Sequence, residues 1–225
     1  TGASSSSRSV PAEVPSLTYR PASSRPTLAL KYRRSPQRVA WLMRGLISED
    51  ADVRWAAYDE LTNTVWHQGT VYSVSAHVVP FLIAMLRSPN TPDKRLPAVL
   101  LAMLADGSSG LEVHATGDSP IAARMRAWLV EEGRDLEAEL AQEREWVEET
   151  RLAVGEAVPL LLPFLSDEEA GVREAIALGL ACYPERAEAL LPPLRAALRR
   201  ETEEYLQEVL AGAIAALTSV GEQRA

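Results

Sequence analysis

Apolar residues recur every three or four positions along most of the chain. The stretch from Ala51 to Val65 shows this clearly, with Val53, Ala57 and Leu61 marking one apolar stripe of an amphipathic helix. No segment alternates apolar and polar residues for long enough to predict a β-strand. The pattern therefore predicts an all-α protein, helical from about Pro36 to Val220 and without a sheet.

One pattern of helix hairpin recurs along the chain. In the run VPLLLPFLSDEEAGVREAIALGL, an apolar helix containing Pro159 precedes an acidic turn with Asp167 and a second apolar helix that opens with Val172 and Arg173. Proline removes a backbone hydrogen bond inside a helix, so this position predicts a kinked first helix. Similar signals occur at three other places: Val53 with Arg54, Pro80 with Lys94, and Pro193 with Leu206 and Gln207.

The spacing of the basic residues defines a repeat length. Arg54 and Lys94 lie 40 residues apart, and Lys94 and Arg173 lie 79 apart. The longer interval has room for one additional, degenerate hairpin, and residues 119–151 fill it with two helical stretches that Gly133 separates. Periods of about 20–50 residues are typical of stacked repeats, because one hairpin cannot bury its own apolar face.

The hairpins resemble HEAT repeats, which carry a proline in the first helix, an aspartate eight residues later, and Val-Arg thirteen and fourteen residues after the proline. Pro159, Asp167, Val172 and Arg173 match all four positions. The stretch WHQGTVY also makes the chain similar to small bacterial HEAT-repeat proteins. The resemblance implies an α-α superhelix, a HEAT-like solenoid of about four recognisable repeats plus one degenerate helical hairpin. It covers residues 36–219, between an N-terminal arm at 1–35 and a tail at 220–225.

Composition agrees with one elongated domain. With 225 residues, 47% of them hydrophobic, the chain is long enough to bury a substantial core. Cys182 is the only cysteine, so no intrachain disulfide can form and a reducing compartment is favoured. The apolar run VPLLLPFL is much shorter than the roughly 20 residues that span a bilayer. We therefore expect a soluble cytoplasmic protein with no membrane partner.

Charge is distributed unevenly along the chain. Residues 1–44 carry eight Lys or Arg and only Glu13, whereas residues 131–156 carry ten acidic residues and three arginines. The whole chain has a formal net charge of −8. Binding to a phosphate backbone depends on clustered Lys and Arg, so we expect no nucleic-acid partner for this acidic body.

The basic residues concentrate in the Ser- and Pro-rich arm, whose composition is typical of extended or disordered chain. Tyr19, Tyr32, Arg33 and Arg34 are its candidate contact residues. They favour an acidic surface, either on a partner protein or on the protein's own Glu-rich helices. The alternative is a solvated leader that makes no contact of its own.

Two connections between hairpins collect polar and aromatic side chains. Trp66, His67 and Tyr72 follow the helix at 51–65, and His114 follows the second hairpin. In a stack of hairpins both connections emerge at the same edge, which would bring the two histidines near each other. Histidine serves as a metal ligand or general base, but no HExxH or CxxC spacing supports such a site. We predict partner contact or loop packing, with no catalytic, cofactor-binding or metal-binding residue.

Trp55 and Asp59 are predicted to lie on the outward side of the helix at 51–65. At about 100° per residue, Trp55 lies about 200° around the helix axis from Val53, away from the predicted core stripe. The resemblance to HEAT repeats implies that the second helices line a concave surface. An exposed tryptophan there would anchor a partner, because tryptophan is enriched among interface hot spots. The alternative is that Trp55 packs beneath the arm or against the second repeat.

Together these features predict a non-catalytic protein–protein interaction module or scaffold subunit. It would bind a partner protein through its concave face and loop edge, with the basic arm as an accessory contact. The resemblance also leaves two enzyme types open, a DNA glycosylase, which needs a basic concave face, and a chromophore lyase. A further alternative is an immunity protein that neutralises a toxin. No cofactor is predicted, and the sequence leaves the partner and the oligomeric state open.

Overall fold

The computed structural model describes residues 35–222, which form ten α-helices, two short 3-10 segments and one two-stranded β-ribbon. The helices are α1 (Pro36–Gly45), α2 (Ala51–Val65), α3 (Ser75–Arg87), α4 (Arg95–Ala105), α5 (Gly110–Ala115), α6 (Pro120–Glu131), α7 (Leu136–Leu161), α8 (Ala170–Ala181), α9 (Ala187–Arg200) and α10 (Glu204–Glu222). The ribbon consists of β1 (Trp66–His67) and β2 (Thr70–Val71), and the 3-10 segments are Leu162–Ser166 and Pro184–Arg186. The predicted all-α class is confirmed. Across residues 35–222, every helix is too short or too polar to cross a membrane.

Four pairs of helices enclose the main hydrophobic core. Helix α1 packs on α2, α3 on α4 and α9 on α10, while the 3-10 segment that continues α7 packs on α8. Neighbouring pairs meet where α3 packs on α7, α4 on α8 and α8 on α10. Pro80, Pro159 and Pro193 lie inside α3, α7 and α9, so the predicted positions of these prolines within helices are confirmed.

The turns inside three of these pairs share one hydrogen-bond pattern. The donor is the polar side chain predicted at the opening of the second helix, and the acceptor is the backbone carbonyl six residues earlier. The donor and acceptor residues are Arg54 and Ser48 (2.8 Å), Arg173 and Asp167 (3.0 Å), and Gln207 and Glu201 (2.7 Å). A side chain that satisfies a carbonyl of the turn stabilises the start of the helix that follows.

A second local bond recurs at the same turns and extends to the fourth pair. A side-chain oxygen accepts a hydrogen bond from the backbone N–H two residues later, an arrangement that favours a turn over continued helix. The accepting residues are Ser48 (3.2 Å), Ser88 (3.2 Å), Asp167 (3.0 Å) and Glu201 (3.1 Å). All four turns therefore share this bond, and three of them also share the bond from the polar side chain.

Residues 110–146, which we call the insertion, do not separate the second pair from the third. The sequence interval predicted a degenerate hairpin at this place, with a break at Gly133. Helix α6 does end just before Gly133, whose φ is +66°, but α4 packs directly on α8. The insertion has an apolar cluster of its own, formed by Leu111, Ala115, Leu129 and Leu140. The predicted helices exist, but they do not lie between α4 and α8.

The connection after α2 contains a small sheet, so the prediction of a chain without a sheet is wrong. β1 and β2 pair antiparallel, with Trp66 opposite Val71. Between them, Gln68 and Gly69 have φ angles of 51° and 90°. Two consecutive residues with positive φ form the tight turn whose twist matches that of paired strands. Strands of two residues are too short to leave an alternating pattern in the sequence.

The buried face of α2 differs from the predicted stripe in its first turn. Ala57 and Leu61 are buried as predicted, but Val53 is 44% exposed. At the equivalent position of α8, Val172 is completely buried. Helix α8 lies between α4 and α10, whereas α2 belongs to the first pair of the described residues and has no second pair on its other flank within that range. The same residue pattern is therefore buried in one hairpin and exposed in the other.

Four predicted contact residues of the arm, Tyr19, Tyr32, Arg33 and Arg34, lie outside the described residues. At the other end, α10 continues to Glu222, beyond the predicted start of the tail at 220.

Candidate functional site

An open groove of about 510 Å³ runs between α4 and α8. Its lining is mostly apolar and comes from both helices, with Met103 on α4 and Leu178 on α8. Trp66 of β1 lines it as well. The charged side chains of the lining are Arg95, Asp106 and Glu174.

Glycine residues of α8 allow the two helices to approach each other closely. A Cβ atom added at Gly179 would lie 3.2 Å from the Cα of Ala102, and one added at Gly171 would lie 2.7 Å from the Cδ of Arg95. These two contacts also show that α4 and α8 run parallel. Arg95 therefore lies at the end of the groove where both helices begin, and Asp106 lies at the end where they finish.

At the end where the helices begin, Arg95 lies over the ring of Trp55, with its guanidinium carbon 5.4 Å from the ring centroid. Its nitrogen atoms are 3.9 Å from the carboxylate of Asp93 and 4.0 Å from that of Glu169. Trp55 also meets Tyr58 edge to face, with ring centroids 5.6 Å apart. These contacts fix the indole at the rim of the groove, yet Trp55 remains 47% exposed.

Two carboxylates of the groove have no cationic partner within residues 35–222. Asp106, at the end of α4, forms neither a hydrogen bond nor an ion pair through its side chain in that part of the chain. Glu174 accepts a hydrogen bond from the hydroxyl of Tyr205 on α10, and this bond raises the pKa of Tyr205. The groove therefore has a negative character away from Arg95.

Cys182 lines the groove at the end where Asp106 lies. Burial, with a smaller contribution from the charge of Asp106, raises the pKa of its thiol to about 11. The thiol is therefore protonated at neutral pH, and the thiolate that attacks electrophiles or binds metals is scarce. Its sulfur lies 3.6 Å from the carbonyl oxygen of Leu178. Cys182 contributes apolar surface to the groove rather than a nucleophile.

The two connections predicted to share one edge are hydrogen-bonded to each other. Val71 N–H donates to the carbonyl of Ser108 at 3.2 Å, and Ser108 N–H donates to the carbonyl of Gly69 at 2.7 Å. Beside this contact, the Nε1 atom of Trp66 is buried and finds no hydrogen-bond acceptor among the described residues. A buried N–H without an acceptor costs about 1–3 kcal/mol.

Of the predicted contact residues, the structure brings Trp55 and Trp66 to the groove. Trp55 lies at the rim, where its ring contacts Arg95 of the lining, and Trp66 is itself part of the lining. Asp59 is exposed on α2, one turn after Trp55. The predicted outward position of Trp55 is confirmed by its exposure, and the ring also contacts Arg95 of the second pair.

His67 and Tyr72 lie in the connection after α2 as predicted, whereas His114, predicted in a connection, lies inside α5. His67 is exposed, and its Nδ1 atom is 2.8 Å from the side-chain oxygen of Asn63. Tyr72 is half-buried, and its backbone N–H donates to the hydroxyl of Ser75 at 2.8 Å. His114 is exposed near the end of α5. In the described part of the chain, no three His, Cys, Asp or Glu side chains are grouped so as to hold a metal ion.

Sequence reasoning missed Arg95, Glu174 and Leu178, although a signal for them was present. Three polar or aromatic positions each follow directly after one of the basic residues that define the repeat length: Trp55 after Arg54, Arg95 after Lys94, and Glu174 after Arg173. The helical geometry that places Trp55 on the outward face therefore applies to all three. Leu178 lies four residues after Glu174 and so continues the same face by one turn.

Comparison with known proteins assigns no relative. No protein family, curated protein or solved structure matches this chain. The inference of function therefore starts from the groove itself.

Proposed function

We propose that this chain is a non-catalytic protein-binding module that holds a partner protein in the groove between α4 and α8. The observation that carries the proposal is the composition of that groove. Its floor is apolar, with Met103 and Leu178, and exposed Trp55 lies at its rim. Protein interfaces have this composition, with aromatic and apolar anchors at the centre and charged groups toward the rim.

The proposal includes a HEAT-like α-α superhelix as the architecture. The side-chain hydrogen bond that recurs in all four turns supports it, as does the succession in which α4 packs on α8 and α8 on α10. In such an arrangement the second helices form one continuous face, which is the face that carries the groove. With one cysteine the chain can form no internal disulfide, which fits a reducing compartment, so we propose that the module acts in the cytoplasm.

The charges of the groove favour a protein partner over nucleic acid. Asp106 and Glu174 line it without cationic partners in the described residues, and Arg95 is already in contact with Trp55. A phosphate backbone binds where Lys and Arg are clustered, so this groove would repel it. A glycosylase-type reading is therefore not favoured.

Affinity capture with matched variants tests the proposal. The full chain is immobilised and exposed to a lysate of the source organism, in parallel with Leu178→Asp and Leu152→Asp. Both leucines are exposed, Leu178 by 48% in the groove and Leu152 by 57% on α7, so both substitutions leave the core intact. A partner that uses the groove is retained by the wild type and by Leu152→Asp but is lost from Leu178→Asp.

Two outcomes would contradict the proposal. Retention of the same proteins by all three forms would show that the groove plays no part in capture. Tight binding of duplex DNA by the full chain at low salt would favour the glycosylase type instead, because such binding needs a basic surface.

A further inference from the structure

The basic arm joins the helical body at the edge that carries the β-ribbon. Ser35 caps α1 by accepting a hydrogen bond from Arg38 N–H at 3.3 Å. The Nε atom of Arg38 donates to Glu60, late in α2, at 2.9 Å, and Gly45 at the other end of α1 lies against Ala57. Helices α1 and α2 are therefore antiparallel, and Ser35, the first described residue, lies beside the end of α2, where β1 begins.

The groove reaches the same edge. The ribbon is hydrogen-bonded to the connection after α4 through Ser108, and Trp66, Asp106 and Cys182 line the groove at this end. Packed helices lie about 8–10 Å apart, so the path from α1 across α2 to α4 is about 20 Å. Roughly six extended residues cover that distance at about 3.3 Å each. The 34 residues before Ser35 are more than enough to enter the groove.

Charge complementarity favours this segment as the occupant. Residues 19–34 contain five Lys or Arg and no acidic residue. Asp106 and Glu174 offer two carboxylates without a cationic partner in the described residues, separated by the apolar surface of Met103 and Leu178. Long basic side chains suit such a surface, because their methylene stems cover apolar groups while their charged ends reach the carboxylates. The segment also supplies apolar and aromatic side chains for the floor: Tyr19, Leu28, Leu30 and Tyr32.

We infer that residues 19–34 dock into the groove of their own chain, with their cations against Asp106 and Glu174. The inference rests on the proposed function, which treats the groove as a binding surface, and it adds a regulatory device. A partner protein must displace the arm before it binds. Trp66 lies at the end of the groove that carries Asp106, so its ring reports on a segment docked there.

A nitroxide on the arm tests the inference in the full chain. The label is attached at Ser23→Cys, and peptide mapping verifies that Cys182 stays unmodified. The indole N–H signals of ¹⁵N-labelled protein then report distance from the label. We expect the signals of Trp55 and Trp66 to broaden strongly, and the signal of Trp128 on α6 to keep its width.

Paired charge variants test which carboxylates hold the arm. In Asp106→Asn/Glu174→Gln, we expect the broadening of Trp66 to fall by about twofold or more, because the cations lose their partners. The matched control Glu148→Gln/Glu149→Gln removes the same charge from exposed positions on α7 and leaves the broadening unchanged.

Three results would overturn the inference. Equal broadening of Trp66 and Trp128, or none, shows that the arm has no preferred contact with the groove. Broadening centred on Trp128 places the arm on the insertion instead. A mixture of two chains tests for contact between copies: one carries the nitroxide without ¹⁵N, and the other carries ¹⁵N without the nitroxide. If the ¹⁵N signals broaden as much in this mixture as in the chain that carries both labels, the arm of a second copy occupies the groove. The capture experiment under the proposed function compares the wild type with Leu178→Asp and uses no label on the arm. A failure of the arm to dock would therefore leave the capture result unchanged.

Discussion

Arg54 and Arg173 make the same pair of hydrogen bonds in two different hairpins. Each Nη1 atom donates to the carbonyls six and five residues earlier, at 2.8 and 3.0 Å for Arg54 and at 3.0 and 3.1 Å for Arg173. The two arginines differ in what else they bind. Arg173 also pairs with Glu201 at 2.8 Å, a carboxylate that is almost completely buried in the next turn. Arg173 therefore stabilises two successive hairpins, and Arg54 only one.

This difference predicts unequal effects of truncation. We expect Arg54→Ala to lower the free energy of unfolding by about 1–2 kcal/mol, the usual value of one or two hydrogen bonds. Arg173→Ala should cost about 2–3 kcal/mol, because it also leaves the carboxylate of Glu201 without its partner. Urea unfolding followed by circular dichroism measures both. Equal losses in the two variants would show that the contact with Glu201 adds nothing.

The ion pair also predicts a pH dependence. The hydrogen bond from Arg173 lowers the pKa of Glu201 below its usual range. A lowered pKa in the folded state stabilises the protein above the unfolded pKa of about 4.3, and this stabilisation is lost as the pH falls through the folded pKa. The difference in unfolding free energy between wild type and Arg173→Ala should therefore be largest near neutral pH and shrink in acid. A difference that stays constant down to about pH 3 would contradict this.

The valines at equivalent positions of two hairpins predict opposite outcomes for one substitution. Val172→Asp places a charge in a fully buried position and should cost about 3 kcal/mol or more. Val53→Asp places the same charge at an exposed position in the first turn of α2, where the helix dipole favours it, so the change should stay within about 0.5 kcal/mol. Thermal melting of both variants checks this. If Val172→Asp melted like the wild type, Val172 would not lie in the core.

Trp55 is predicted to be a hot spot for the captured partner. Trp55→Ala should weaken binding by about 2 kcal/mol or more, the loss that defines an interface hot spot, a class in which tryptophan is enriched. Trp128 is a matched control, since it is also exposed and also lies under an arginine, with Arg134 5.3 Å from its ring centroid. Calorimetric titration should show little change for Trp128→Ala, and little for His67→Ala or His114→Ala. A measurable turnover that either histidine variant abolished would argue for an enzyme instead.

The thiol of Cys182 predicts slow alkylation. Burial raises its pKa to about 11, so its reaction with iodoacetamide should stay slow at neutral pH and accelerate only as the pH approaches that value.

The raised pKa of Cys182 also makes the free energy of unfolding depend on pH, because the folded state holds the thiol proton more tightly than the unfolded state. Stability should therefore decline as the pH rises from about 8.5 toward 11. In the alkylation experiment the urea-unfolded chain is the control, and the pH dependence of its reaction should show the ordinary pKa of a thiol, about 8.5.

The helices, their internal prolines and the outward position of Trp55 could be predicted from sequence, because each depends on local spacing. The exposure of Val53 could not be predicted, since it depends on whether a neighbouring hairpin covers α2. The ribbon at Trp66 was missed because its strands are too short to show alternation. The place of the insertion was missed for a different reason. An interval of 79 residues fits two repeats in length, but length does not show which helices touch. The groove could not be predicted for the same reason, because it lies between α4 and α8 and exists only where these two helices touch.

Helix α7 is one continuous helix of 26 residues shared by two apolar clusters. Leu140 belongs to the cluster of the insertion, and Val154, Val158 and Leu161 belong to the main core. At about 1.5 Å per residue the helix is roughly 40 Å long. Its backbone hydrogen bonds would have to break before the two clusters could turn independently. A displacement of its acidic half would therefore also move its other half, whose apolar side chains belong to the main core.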